Sequence, residues 1–277
     1  MLRILLFLAT NVAVLFMAAI AMAVLTALGV IPQNAPYIQM LIWCALFGFG
    51  GSFFSLAISK LVAKKTTRAR VIETPSNATE QWLVQTVQRH AEHAGVGMPE
   101  VAVFDSPDPN AFATGMFRNH ALVAVSTGLL RLMNKQEVEA VLGHEMTHVA
   151  NGDMVTLTLI QGVLNTFVLF IARIIASQFD RGRFMIYMAL QLAFGVLASI
   201  IVAWFSRRRE FRADAGGAKL QSAGDMASAL NRLRAMRDAP SQLPDALTAF
   251  GIRGEGMRKL MATHPPLEER IARLQGQ

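Results

Sequence analysis

The chain has 277 residues, of which 53% are hydrophobic and only 16% charged, with a mean hydropathy of +0.39. Such a composition excludes a disordered chain, a collagen-like fibre and a small disulfide-stapled module. Cys44, the single cysteine, can form no internal disulfide, and the net charge of +7 admits either nucleic acid or a membrane surface until the charges are placed.

No charged residue falls between Ile4 and Ile31, nor between Tyr37 and Ser59. Crossing the hydrocarbon layer takes about 20 apolar residues, so both stretches predict transmembrane helices. The turn Pro32-Gln33-Asn34-Ala35-Pro36 carries no basic residue, whereas Lys60, Lys64, Lys65, Arg68 and Arg70 follow the second stretch. Positive residues stay on the cytoplasmic side, which places the N-terminus and the chain after Lys60 there. The alternative for the first stretch is a cleaved signal peptide, but its apolar length is about twice that of a typical h-region.

Asn77-Ala78-Thr79-Glu80 reads as a capping box. The helix it opens has an apolar face of Leu83, Val87, Ala91 and Ala94, ends at Gly95, and places His90 and His93 on its solvated side. Three short strand-like runs follow, 101–104, 111–113 and 121–125, separated by turn-forming residues. Asn134 and Glu137 offer a second capping box for a helix running to about Asn151-Gly152. Met154–Ala172 and Phe184–Ser206 are again uncharged, and the first of them bears a polar stripe of Thr158, Gln161 and Asn165 that should face protein. The intervening turn, with Asp180, Arg181 and Arg183, fits an exterior loop imperfectly, while Arg207-Arg208-Arg209 suits a cytoplasmic end. Four spans are expected; the alternative is two spans plus a hairpin that is buried or dips into the interface. A further helix should start near Asp225 with Met226, Leu230 and Leu233 inward, and a last one at Pro265-Pro266 should bury Leu267, Ile271 and Leu274.

The expected organisation is an N-terminal transmembrane hairpin (1–63), a cytoplasmic domain in two pieces (64–153 and 206–277), and an apolar hairpin inserted between them (154–205). The soluble part is α+β and mostly helical, with a small sheet. Because the basic clusters sit at membrane ends, orientation and lipid headgroups account for the charge, and no nucleic-acid partner is expected.

Chemistry concentrates in His144-Glu145-Met146-Thr147-His148 on the second capped helix. Helical residues four apart lie nearly above one another, so both imidazoles can reach one ion. Glu145 stands one residue round, able to approach a third position on that ion without ligating it, the H-E-x-x-H arrangement of zinc proteases. Gly143 offers no side chain to obstruct the site. The metzincin extension would need Gly at 151 and His at 154, where this chain has Asn151 and Met154. Glu210 and Asp214, also four apart, supply an acid farther along. Glu210 could complete a His₂Glu site, and Asp214 could accept the free ring N–H of a ligating histidine; the alternative is a solvated acidic pair among arginines.

The run His144–Asp153, then Glu210-Phe211-Arg212-Ala213-Asp214, then Thr263-His264-Pro265-Pro266 resembles the HtpX family of bacterial inner-membrane heat-shock proteases. These are relatives of the CAAX prenyl endopeptidases with a gluzincin type of zinc site, and the likeness covers essentially the whole chain. The resemblance implies a zincin-like metalloprotease domain at the cytoplasmic face of the inner membrane. It implies one zinc ion per chain on His144, His148 and Glu210, with Glu145 as general base. The implied activity is endoproteolysis of misfolded or damaged membrane proteins in envelope quality control, with the lipid bilayer and membrane-protein substrates as partners. Asn110-Ala111-Phe112-Ala113 is similar to the edge strand on which gluzincins lay an extended substrate; a plain core strand is the alternative. His264 is the candidate oxyanion donor, Arg270 a weaker one, and a helix-start histidine packed on prolines is the alternative for His264.

Three other functions fit less well. A membrane-anchored chaperone or scaffold with a structural zinc would have no use for Glu145. A site-2-type intramembrane protease would have an apolar zinc helix, whereas Lys135, Gln136, Glu137 and Glu139 precede this motif. A transporter has only the spans behind it.

Overall fold

The computed structural model describes residues 36–237 and 264–276. The first expected span, Ile4–Ile31, lies outside the described residues, as do the turn after it up to Ala35 and Thr263 of the last motif. Among the described residues, three helices are long and apolar enough to cross a membrane: α1 (Pro36–Thr67), α5 (Asp153–Ser177) and α6 (Arg183–Leu220). The chain divides into two compact units, one formed up to Ile58 together with Val155–Val202, the other by Ser59–Met154 and the chain from Ala203 onward.

In the apolar unit, α1 and α5 meet through small residues. A Cβ on Gly48 would run into Thr166 and the Gly162 carbonyl, and one on Gly162 would run into the Phe49 ring. The polar stripe on α5 lies beside this contact. Gln161 donates to Asn165 Oδ1 over 2.9 Å, and Asn165 Nδ2 lies 3.4 Å from Ser52 Oγ on α1. Polar side chains in a membrane segment are expected to find partners on neighbouring helices in this way.

The second unit is built on a four-stranded sheet of β1 (Arg70–Val71), β2 (Glu100–Phe104), β3 (Ala111–Thr114) and β4 (Leu122–Ser126), in the order β1-β2-β4-β3. Strand β4 is parallel to β2 and antiparallel to β3, with Ala113 opposite Val123, which leaves β3 at an edge. Helix α2 (Ala78–Ala94), the short α3 (Thr127–Leu132) and α4 (Lys135–Asn151) supply Leu83, Val87, Leu129, Val138, Leu142 and Met146 to a core with Val101, Val123 and Val125. Ala102, Phe104, Leu122 and Ala124 form a smaller cluster with Phe112 against it. Helices α7 (Ala223–Arg237) and α8 (Leu267–Leu274) close the opposite side of α4, through Ala140, Met226, Leu230 and Ile271.

Several local expectations need correction. Strand β1, two residues long, carries too little pattern to be read. The cap at Asn77 is only half a box: its side chain accepts from Glu80 N at 2.9 Å, but the Glu80 carboxylate turns to Ser76 and Arg70 instead. The box at Asn134 and Glu137 is complete in both directions. His90 is not on a solvated face. It is 0% exposed, adjoins Val87 and Ala91 on the buried stripe of α2, and has Nε2 3.0 Å from the Glu139 carbonyl. Of the last helix, Ile271 is buried whereas Leu267 and Leu274 are half-buried.

Candidate metal centre and active site

Helix α4 ends where Gly152 takes a left-handed conformation (φ 65°), and its N–H caps the carbonyls of His148 and Val149. After that single residue α5 begins at Asp153, whose carboxylate returns to His148 Nδ1 at 2.7 Å. The second half of α6 crosses α4 at close range. A Cβ on Gly217 would lie 2.9 Å from the His144 amide nitrogen, and one on Gly216 would collide with Thr147. Gly143 belongs to the same crossing: an added Cβ there would sit 3.3 Å from Gly217 Cα. Its lack of a side chain therefore lets the helices approach, rather than clearing the space before the imidazoles.

This crossing sets Glu210 and Asp214, both buried, against the histidine pair. The two Nε2 atoms are 3.2 Å apart; Glu210 Oε2 lies 3.6 Å from that of His144 and Oε1 lies 3.3 Å from that of His148. Asp214 Oδ1 is 2.9 Å from His144 Nδ1. Each imidazole thus has one nitrogen held by a carboxylate and the other turned to a common point. Ligand atoms from His144, His148 and Glu210 all lie within 4.8 Å of one another, a group that could hold a metal ion.

Glu145 is half-buried one residue round, on a helix that packs against edge strand β3. Burial pushes its pKa up, against the pull of His144 and His148. Burial also works against charge on Glu210, but contacts with His144, His148 and His264 outweigh it and hold the carboxyl well below the usual carboxylate range. For His148 the balance runs the other way. Burial disfavours the imidazolium, yet Asp153 and Glu210 push its pKa up to about 9.

The last motif arrives from the C-terminal side. His264 Nδ1 lies 2.7 Å from Glu210 Oε2, although its side chain is 66% exposed. Its imidazole is therefore engaged with a candidate ligand. Buried Arg270, on α8, donates from Nε and Nη2 to Asp214 at 2.7 and 2.6 Å, with Nη1 3.6 Å from Glu210 Oε2. Asn110, Ala111, His144, Glu145, His264 and Arg270 line one pocket. The sequence named Arg270 only as a second oxyanion candidate, gave Asp153 no role, and placed Arg209 only among the basic residues of a membrane end. Arg209 is buried and donates to the Asp153 carbonyl at 2.9 Å. The signal for Asp153 was present: a carboxylate directly after the helix-ending glycine, five residues beyond His148. Arg270 gave only a weak signal, a charge next to Ile271 on an otherwise apolar helix face.

A helix-borne H-E-x-x-H pair facing a glutamate from a second helix, beneath an edge strand and joined to long apolar helices, defines a membrane metallopeptidase of zincin type. The family model for peptidase family M48 matches residues 77–277. Protease HtpX of Thioalkalivibrio sulfidiphilus is 56% identical over 98% of this chain and 98% of its own length. Protease HtpX of Idiomarina loihiensis is 55% identical, over 99% and 98%. The crystal structure of S. mikatae Ste24p superposes with a TM-score of 0.65 at 18% identity, covering 98% of this chain, which spans 64% of that protein's length; the likeness is one of fold. The chain belongs to peptidase family M48 and, within it, to the HtpX proteases.

Proposed function

We propose that this membrane metalloprotease is a zinc endopeptidase that cuts misfolded or damaged membrane proteins at the cytoplasmic face of the bacterial inner membrane. The observation that carries the reading is the convergence of His144, His148 and Glu210 on one point with the Glu145 carboxyl beside it. The donor set fits the ion. Tetrahedral zinc with bonds of about 2.0–2.1 Å keeps its ligand atoms about 3.3 Å apart, and the separations here are 3.2, 3.3 and 3.6 Å. Two nitrogens and a carboxylate are also the usual set for a catalytic zinc that keeps a position open.

Zinc, when bound, supplies Lewis-acid polarisation and lowers the pKa of water. The chain's own residues do the rest. Asp214 and Asp153 hold the imidazoles by Nδ1, so that each Nε2 would be free to hold the ion. Glu145, its pKa raised by burial, accepts a proton from the attacking water and returns it to the leaving amine. Edge strand β3 offers main-chain groups to an extended substrate, which tolerates many side chains. His264, on the pocket wall, is the residue assigned to oxyanion stabilisation, a role that requires it to leave Glu210. The basic residues beside the apolar stretches, Lys60, Lys64, Lys65 and Arg207–Arg209, support a cytoplasmic position for the domain.

The test is Glu145→Gln in the full chain reconstituted in lipid. Peptide cleavage should fall by at least about 100-fold while one zinc per chain is retained, as read by metal analysis. Full activity would remove Glu145 from the chemistry, and loss of zinc would contradict its role as a base that does not ligate. Glu210→Ala should lose zinc itself.

A further inference from the structure

We infer that the loop between β3 and β4, residues 115–121, is an interfacial anchor that inserts Phe117 into the lipid surface. Phe117 is 62% exposed, more than any other large apolar side chain described in its unit. The loop is pinned to the two places where the chain passes into its apolar stretches. Thr114 Oγ1 donates to Ser59 Oγ at 2.9 Å, and Lys60 Nζ donates to the His120 carbonyl at 3.0 Å. Ser59 is the last residue of the uncharged run that begins at Tyr37. On the other side Arg118 Nη2 donates to the Asn151 carbonyl at 3.4 Å, two residues before α5 begins. The loop is therefore held level with both junctions, where headgroups must lie if the apolar stretches span the hydrocarbon.

The loop's own residues fit that environment. Gly115 (φ 136°) turns the chain out of β3, and a Cβ there would lie 3.1 Å from Ala121 Cα. Beyond it, exposed Phe117 is followed by exposed Arg118, Asn119 and His120 in a single 3₁₀ turn. One aromatic wedge followed directly by Arg118 suits the boundary of anionic headgroups and acyl chains. It does not form the broad apolar groove that a partner helix would need. Since β3 runs straight into the loop, the anchor also fixes the height of the edge strand above the bilayer.

The test uses the full chain in nanodiscs containing anionic lipid. Phe117→Cys in a Cys44→Ala background is labelled with an environment-sensitive fluorophore, with Glu92→Cys on α2, also exposed, as the control. The label at 117 should emit to the blue of the control, be quenched by lipids carrying a nitroxide near the headgroup, and be quenched by iodide several-fold less. Iodide quenching equal to the control, without nitroxide quenching, would overturn the inference. So would protection that appears only when an unfolded polypeptide is added, which would assign Phe117 to substrate. Hydrogen exchange of the unsubstituted protein gives a second reading that needs no variant. Amides of 116–121 should exchange several-fold more slowly in nanodiscs than in lipid-free amphipol, and equal rates would overturn it. Neither readout depends on proteolysis, so failure here is distinct from failure of the proposed enzymatic role.

Discussion

At the scale of single residues the centre is organised by carboxylates that hold imidazoles. Asp153 and Asp214 each occupy an Nδ1, and partners of this kind commonly affect metal affinity by about 10–100-fold. Asp153→Ala should therefore weaken zinc by that factor in a competition titration against a chelating dye; unchanged affinity would mean that the α4–α5 turn alone orients the ring. The same contacts set a pH dependence. His148, its pKa raised to about 9 by Asp153 and Glu210, carries a proton at pH 7 that it would have to give up to bind a metal ion. Loading should thus release protons and tighten as pH rises from 6 towards 9, beyond which this dependence fades. Calorimetry in buffers of different ionisation enthalpy reads that release directly. The histidine pair and Glu145 stand out in the sequence because their spacing is local to one helix. The hold of Arg270 on Asp214 joins residues 56 positions apart, and nothing in their types announces it.

Among elements, the decisive contact is the crossing of α4 and α6 through Gly143, Gly216 and Gly217. Gly217→Val would force the backbones apart, at a cost of about 1–3 kcal/mol for overpacking. It should lower zinc affinity more than Gly224→Val, where an added Cβ has only Ser222 Oγ nearby, at 3.8 Å. Metal titration and thermal unfolding of both variants check this; equal affinities would show that α6 adjusts without moving Glu210. The main helices could be read in advance because apolar periodicity and caps are local signals, as at Asn134 and Gly152. Which glycine marks a crossing is not local, and Gly143 was accordingly given the wrong neighbour. His90 failed for a related reason, since a histidine beside Val87 and Ala91 belongs to whichever face its helix buries.

Across the whole molecule, the two halves of the candidate metal set belong to one compact unit but are separated in sequence by the apolar residues 155–202. Hydropathy alone marks those residues as apolar. What hydropathy could not show is that the last apolar stretch and the segment bearing Glu210 and Asp214 form one uninterrupted helix of 38 residues.

A rod of that kind keeps rotational phase along its length. One alanine inserted after Ser206 would turn everything beyond it by about 100° relative to the apolar half, whereas four would overshoot a full turn by only about 40°. Either the carboxylates or the lipid-facing side must then point the wrong way. Zinc retention should accordingly be lower with one inserted residue than with four, and a steady decline with insert length would show that the rod bends freely instead. Spacing between bilayer and ion in this helix would then be tolerated in whole turns, like teeth on a gear.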